Sequence, residues 1–116
     1  MNWRKFLRRT TAAVLIGAFV LTASVVFAAT PQEEIQQYTQ QIQNNPNNAV
    51  SYLNRGLAYR HLNQYERAIT DYTKAIQLNP NFAEAYYNRG KAYQALGNTA
   101  SAQADFARAR ELGYKG

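Results

Sequence analysis

The chain has 116 residues, 47% of them hydrophobic and none of them cysteine. That leaves room for one small domain and excludes disulfides, thiolate zinc sites and cysteine nucleophiles. The net charge of +6 is concentrated at Arg4, Lys5, Arg8 and Arg9, and without these four 9 Lys/Arg face 7 Asp/Glu, a balance of +2, so a nucleic-acid partner is not expected.

Met1 to Arg9 carries four basic residues and no acid, and Thr10 to Phe27 carries no charge at all. Ala28-Ala29-Thr30-Pro31 follows, after which Gln, Glu and Asn dominate. A basic start, an apolar run and a small-residue exit describe a secretory signal peptide over residues 1–28. Cleavage after Ala28 puts Val26 and Ala28 at the third and last places before the cut. The rival reading is an uncleaved anchor, because the apolar run is about as long as the shortest spanning helices. The basic flank then keeps Met1 in the cytoplasm. Both readings export the rest of the chain, to the periplasm or the medium, or tethered outside the cytoplasm. With no cysteine there is no lipoprotein route, and Thr10-Thr11-Ala12 after Arg8-Arg9 does not look like a twin-arginine motif.

Pro31-Gln32-Glu33-Glu34 opens a helix, with proline in the first turn and carboxylates at the positive end of the dipole. Ile35, Tyr38 and Ile42 share one face of it, and Asn44-Asn45-Pro46 stops it. Helices are then expected over Ala49 to Leu62, Tyr65 to Leu78, Ala83 to Leu96 and Thr99 to Leu112. The breaks are Asn63-Gln64, Asn79-Pro80-Asn81 and Gly97-Asn98. Links this short force antiparallel neighbours.

Residues 83–116 repeat residues 49–82 at an offset of 34, with 12 identities and no gap. They include Tyr52/Tyr86, Arg55/Arg89, Gly56/Gly90, Tyr59/Tyr93, Ala68/Ala102, Asp71/Asp105 and Ala75/Ala109. The same shift carries Ile69, Tyr72, Thr73, Ile76, Gln77, Asn79 and Pro80 back onto Ile35, Tyr38, Thr39, Ile42, Gln43, Asn45 and Pro46. The expected fold is therefore all-α: a solenoid of α–α hairpins, about two and a half repeats and five helices, after the signal segment. Its units are a half-repeat capping helix in 29–48 and full repeats in 49–82 and 83–116.

The two full units resemble the tetratricopeptide repeat (TPR), whose pattern of W-x₂-L-G-x₂-Y, A-x₃-F and P over 34 residues is well defined. Tyr52-x₂-Arg55-Gly56-x₂-Tyr59, Ala68-x₃-Tyr72 and Pro80 match it in the first unit. Tyr86-x₂-Arg89-Gly90-x₂-Tyr93 and Ala102-x₃-Phe106 match it in the second, with Tyr114 at the place of the proline. Gly56 and Gly90 are expected to face Ala68 and Ala102 across each hairpin. Tyr59, Tyr72, Tyr93 and Phe106 are expected to fill the space between hairpins. Arg55 and Arg89 stand where the pattern has leucine, and are expected to pack their stems and send the guanidinium to water. Because single units cannot bury their apolar faces, so short an array is expected to be modestly stable or to stack on a second chain. Arg108, Arg110 and Glu111 solvate the last helix.

The resemblance implies an interaction module without cofactor or metal, whose first helices line a groove for a peptide or partner helix. The groove positions are Leu53, Asn54, Leu57 and Arg60 in one unit and Tyr87, Asn88, Lys91 and Gln94 in the next. Asn54 and Asn88 suit the backbone of an extended peptide, Arg60 and Lys91 a carboxylate, and Leu53, Leu57 and Tyr87 apolar contact. Relatives that clamp the C-terminal carboxylate of heat-shock chaperones carry Lys and Asn where this chain has Leu53 and Leu57, so that clamp is not expected. The alternative role is self-assembly through exposed solenoid ends. Catalysis is not expected: Glu66, Asp71, Glu84 and Asp105 fall on helix surfaces or turns, Asp71 and Asp105 recur with the period, and no phosphate loop or metal spacing is present. His61, the only histidine, reads as a polar residue at a helix end.

Overall fold

A computed structural model describes residues 28–116. The export segment expected over residues 1–28 lies, apart from Ala28, outside the described residues. Among those described, no helix is long and apolar enough to cross a membrane. Five helices follow one another: α1 (Pro31–Asn44), α2 (Ala49–His61), α3 (Tyr65–Leu78), α4 (Ala83–Ala95) and α5 (Thr99–Glu111). α2 packs on α3 and α4 on α5 as hairpins, while α1 lies on α2 and α3 on α4, so each helix covers its neighbour in the chain.

Local chemistry sets the helix ends. Thr30 Oγ1 accepts from the Glu33 N–H at 3.3 Å, and the Glu33 carboxylate accepts from the Thr30 N–H at 3.2 Å, a reciprocal cap that starts α1. Asn48 and Asn98 cap α2 and α5 through their side chains. Each helix expected to end on Leu62, Leu96 or Leu112 ends one residue earlier, with the leucine as the cap. The next residue turns left-handed: Asn63 at φ 58°, Gly97 at φ 79° and Gly113 at φ 91°. Asparagine and glycine tolerate that region best. After Gly113 the Tyr114 N–H donates to the Ala109 carbonyl and the Gly113 N–H to the Arg110 carbonyl, each at 2.9 Å. The chain thereby folds back over α5. After α3, by contrast, Asn79 leaves in extended geometry, and its side chain accepts from the Asn81 N–H at 3.1 Å.

The core is small-residue and aromatic. Tyr52, Leu53, Ala68, Tyr72, Ala75, Ala85 and Ala92 form one buried cluster, with Leu57, Ile69 and Ile76 packed against it. Tyr72 is fully enclosed, a burial worth about 1.5–3 kcal/mol. The close approach of α2 and α3 depends on Gly56, but its opposing surface is the Tyr72 ring and not Ala68 first: a Cβ there would stand 2.6 Å from the ring. In the second hairpin a Cβ on Gly90 would stand 2.7 Å from the Phe106 ring and 3.2 Å from the Ala102 carbonyl oxygen.

Arg55 and Arg89 do not send their guanidinium groups to water. Arg55 donates from Nε and Nη2 to both oxygens of Asp71 at 2.8 Å, and from Nη1 to Thr39 Oγ1 at 3.2 Å. Arg89 makes the same three bonds to Asp105 and Thr73. Each guanidinium also lies between two tyrosines of its own helix, Tyr52 and Tyr59 or Tyr86 and Tyr93, about 6 Å from each ring. Asp71 and Asp105, expected on helix surfaces, are buried. The arginine at the leucine position thus ties its hairpin together and reaches back to the helix before it. Hydrogen bonding to the aspartate raises both guanidinium pKa values, outweighing burial.

Candidate functional site

The sequence-predicted groove residues divide in two. Leu53 is 3% exposed and belongs to the core. Asn88 is 6% exposed, and its side-chain amide donates to the Glu84 carbonyl of its own helix at 2.9 Å. Neither lines an open surface, which corrects the expectation for both: Leu53 packs with α4 residues, and the amide of Asn88 is taken up by the α4 backbone. Leu57 packs against the core. Asn54, Arg60 and Tyr87 are half-buried, while Lys91 and Gln94 are exposed.

The structure brings Arg60, Lys91 and Gln94 together. With His61, Asn63, Tyr65 and Ala95 they line a cavity of about 520 Å³ where the C-terminal ends of α2 and α4 meet the turn into α3. His61 is exposed at the end of α2. Lys91 and Gln94 also border a second cavity of about 600 Å³, on α4 and α5. Its other walls are Tyr87, Phe106, Ala109, Arg110, Tyr114, Lys115 and Gly116. The Tyr87 ring stands 4.5 Å from that of Tyr114 and 5.6 Å from that of Phe106, so the wall is a continuous aromatic patch. Burial against this patch raises the Tyr114 phenol pKa, helped by Glu84 and Tyr87.

The charged side chains that line the two cavities are all basic. The ion pairs among the described residues are Arg55–Asp71, Arg89–Asp105 and Arg108–Glu111. Arg60, Lys91, Arg110 and Lys115 take part in none of them, and no acidic side chain lines either cavity. Sequence reasoning pointed to Arg60 and Lys91 but passed over Arg110, Tyr114 and Lys115 as binding residues. Their signal was present: Arg110 and Tyr114 break the period, standing where the first unit has Ile76 and Pro80.

Comparison with known proteins agrees with this architecture. TPR-repeat profiles match residues 56–97, and tetratricopeptide-repeat profiles match 38–70 and 83–112. Among solved structures, the first TPR of Spaghetti (RPAP3) bound to the HSP90 peptide SRMEEVD is similar at 34% identity. The match covers 74% of this chain and 68% of that one, with a TM-score of 0.72. The Arabidopsis OM64 TPR domain is similar at 34% identity, covering 72% and 69%, with a TM-score of 0.71. The TPR2B domain of yeast Sti1, in complex with pHsp70, is similar at 32% identity, covering 88% of this chain and 78% of that one, with a TM-score of 0.69. No curated protein sequence matches the chain. On its repeat signature, its stacked hairpins and these likenesses, the chain belongs to the tetratricopeptide repeat family.

Proposed function

We propose that the chain is a non-catalytic adaptor that holds an acidic peptide across the ends of α2 and α4, with Arg60 and Lys91 meeting its carboxylates. The observation that carries this reading is the convergence of these two cations on one cavity without an acidic side chain. Gln94 supplies an amide for the peptide backbone, and Tyr65 an aromatic edge. The peptides named with the similar RPAP3 structures, SRMEEVD and SGPTIEEVD, are themselves acidic. The carboxylate is held differently from a chaperone clamp that relies on Lys and Asn at the first groove helix. Leu53 and Leu57, at those places, are committed to packing. Non-catalysis fits the use of Asp71 and Asp105, whose oxygens are occupied by arginine. Export is part of this reading, supported by the basic start and apolar run of residues 1–27, with the module released or tethered outside the cytoplasm.

Titration of labelled SRMEEVD into the chain tests this reading. Binding that weakens with salt and drops in Arg60→Glu and Lys91→Glu supports it, as does loss of binding when the two glutamates of the peptide become glutamine. Binding indifferent to all three changes, or no binding, contradicts it.

A further inference from the structure

The cavity on α4 and α5 occupies positions that the preceding hairpin keeps covered. A shift of 34 residues takes Tyr87, Lys91, Phe106, Ala109 and Arg110 to Leu53, Leu57, Tyr72, Ala75 and Ile76. Leu53, Tyr72 and Ala75 are buried, Leu57 and Ile76 pack against them, and α4 supplies Ala85 and Ala92 to the same cluster. On its inner side α4 carries a stripe of small or short residues, Ala85, Asn88 and Ala92, all buried and spaced to share one helix face. α2 repeats the device toward α1 with Ser51 and Ala58.

We propose that the cavity on α4 and α5 docks a helix from a partner protein, laid as α4 lies on α2 and α3. That helix has small residues along its inner stripe and carboxylates on its flanks. Its shape follows from continuity with the internal interface, and its charge from what differs there. Lys91 stands in the place of Leu57, Arg110 in the place of Ile76, and Lys115 adjoins them, with no acidic side chain in the lining. Docking takes these exposed cations out of water; an acidic helix pairs them, and a neutral one leaves them unpaired. A second copy of the chain fits less well. Its α1 carries Glu33 and Glu34, but Ile42 of that helix is already packed against the core, and the remaining surface is rich in glutamine. Tyr114 and Gly116 border this cavity, and docking of the helix requires them to move aside.

The surface shares Lys91 and Gln94 with the Arg60 cavity, and the experiment keeps the two apart through residues that line only one of them. A labelled helical peptide of alanine and glutamate is titrated into the full chain by fluorescence anisotropy, beside a counterpart in which every glutamate is lysine. The acidic helix binds, more weakly in high salt, and Arg110→Glu with Lys115→Glu lowers its affinity about tenfold or more. Both side chains are exposed, and circular dichroism checks that the double variant folds. SRMEEVD binding is unchanged in that variant, while Arg60→Glu lowers SRMEEVD binding and leaves the helix bound. No binding of the acidic helix, equal binding of the lysine helix, or full binding by the double variant overturns the proposal. So does a mass by light scattering that rises with concentration and returns to a single chain in the double variant, because a second copy then owns the face.

Discussion

Arg55 grips Asp71 with two parallel hydrogen bonds of 2.8 Å, joining residues 16 apart in sequence on the two helices of one hairpin. Removing one partner leaves the other charge stranded. Asp71→Ala is expected to destabilise the fold by about 2–4 kcal/mol, below the full cost for buried pairs because the Arg55 side chain keeps 19% exposure. Replacing both by leucine, the residue of the family pattern at position 55, is expected to cost little or nothing. Urea denaturation of the two variants distinguishes a pair that stabilises from one that only has to be complete.

Tyr72 carries a buried hydroxyl with no hydrogen-bond partner among the described residues, and the equivalent position in the next hairpin is Phe106. Tyr72→Phe is therefore expected to stabilise by about 1 kcal/mol. Burial holds the Tyr72 phenol well above its ordinary 10.0. The stability tied to this group is complete below pH 10, since both states are protonated there. It falls above pH 10, where only the unfolded chain releases the proton. Chemical denaturation across alkaline pH should show that loss in the native sequence and a smaller one in Tyr72→Phe.

Gly56 and Gly90 test how tightly the hairpins close. Alanine gains up to about 1 kcal/mol of helix propensity, but its Cβ would meet an aromatic ring inside 3.0 Å at both positions. Overpacking of this kind costs about 1–3 kcal/mol, so both substitutions are expected to destabilise on balance. Gly56→Ala should be the worse, because Tyr72 is fully enclosed while Phe106 is half-buried and has room to move. Thermal melts of the two variants rank them.

The fold-back at the C-terminal end has its own signature. Gly113 sits at φ 91° with nothing within 4 Å of where a Cβ would stand, so Gly113→Ala meets backbone strain alone, about 1 kcal/mol. Tyr114→Ala removes the ring stacked on Tyr87, a pair worth about 0.5–1.5 kcal/mol. If the tail is one unit, the double variant costs less than the two single changes combined, which a double-mutant cycle measures.

The helices and their order were legible because a 34-residue repeat of tyrosine, glycine and alanine carries the packing information in residue type alone. The arginine–aspartate pairs were not. Each partner looks like a surface residue in isolation, and only the hairpin brings Arg55 to Asp71 and Thr39. The groove was half legible. Leu53 and Tyr87 share one place in the repeat, yet Leu53 is buried in a cluster with α4 residues while Tyr87 meets Phe106 of its own hairpin and Tyr114 of the tail. Burial at a repeat position thus depends on which helix lies beyond it, and no single repeat states that. Arg110 and Tyr114 showed as breaks in the period, but bringing Arg110 to the cavity of Lys91 needed the α4–α5 hairpin, and stacking Tyr114 on Tyr87 needed the turn at Gly113.

The most direct test of the central claim is to map, by nuclear magnetic resonance of the ¹⁵N-labelled chain, where SRMEEVD binds. The account predicts saturable shifts concentrated at Arg60, His61, Lys91 and Gln94, with α1 unmoved. Shifts centred on α1, or none at saturating peptide, would contradict it.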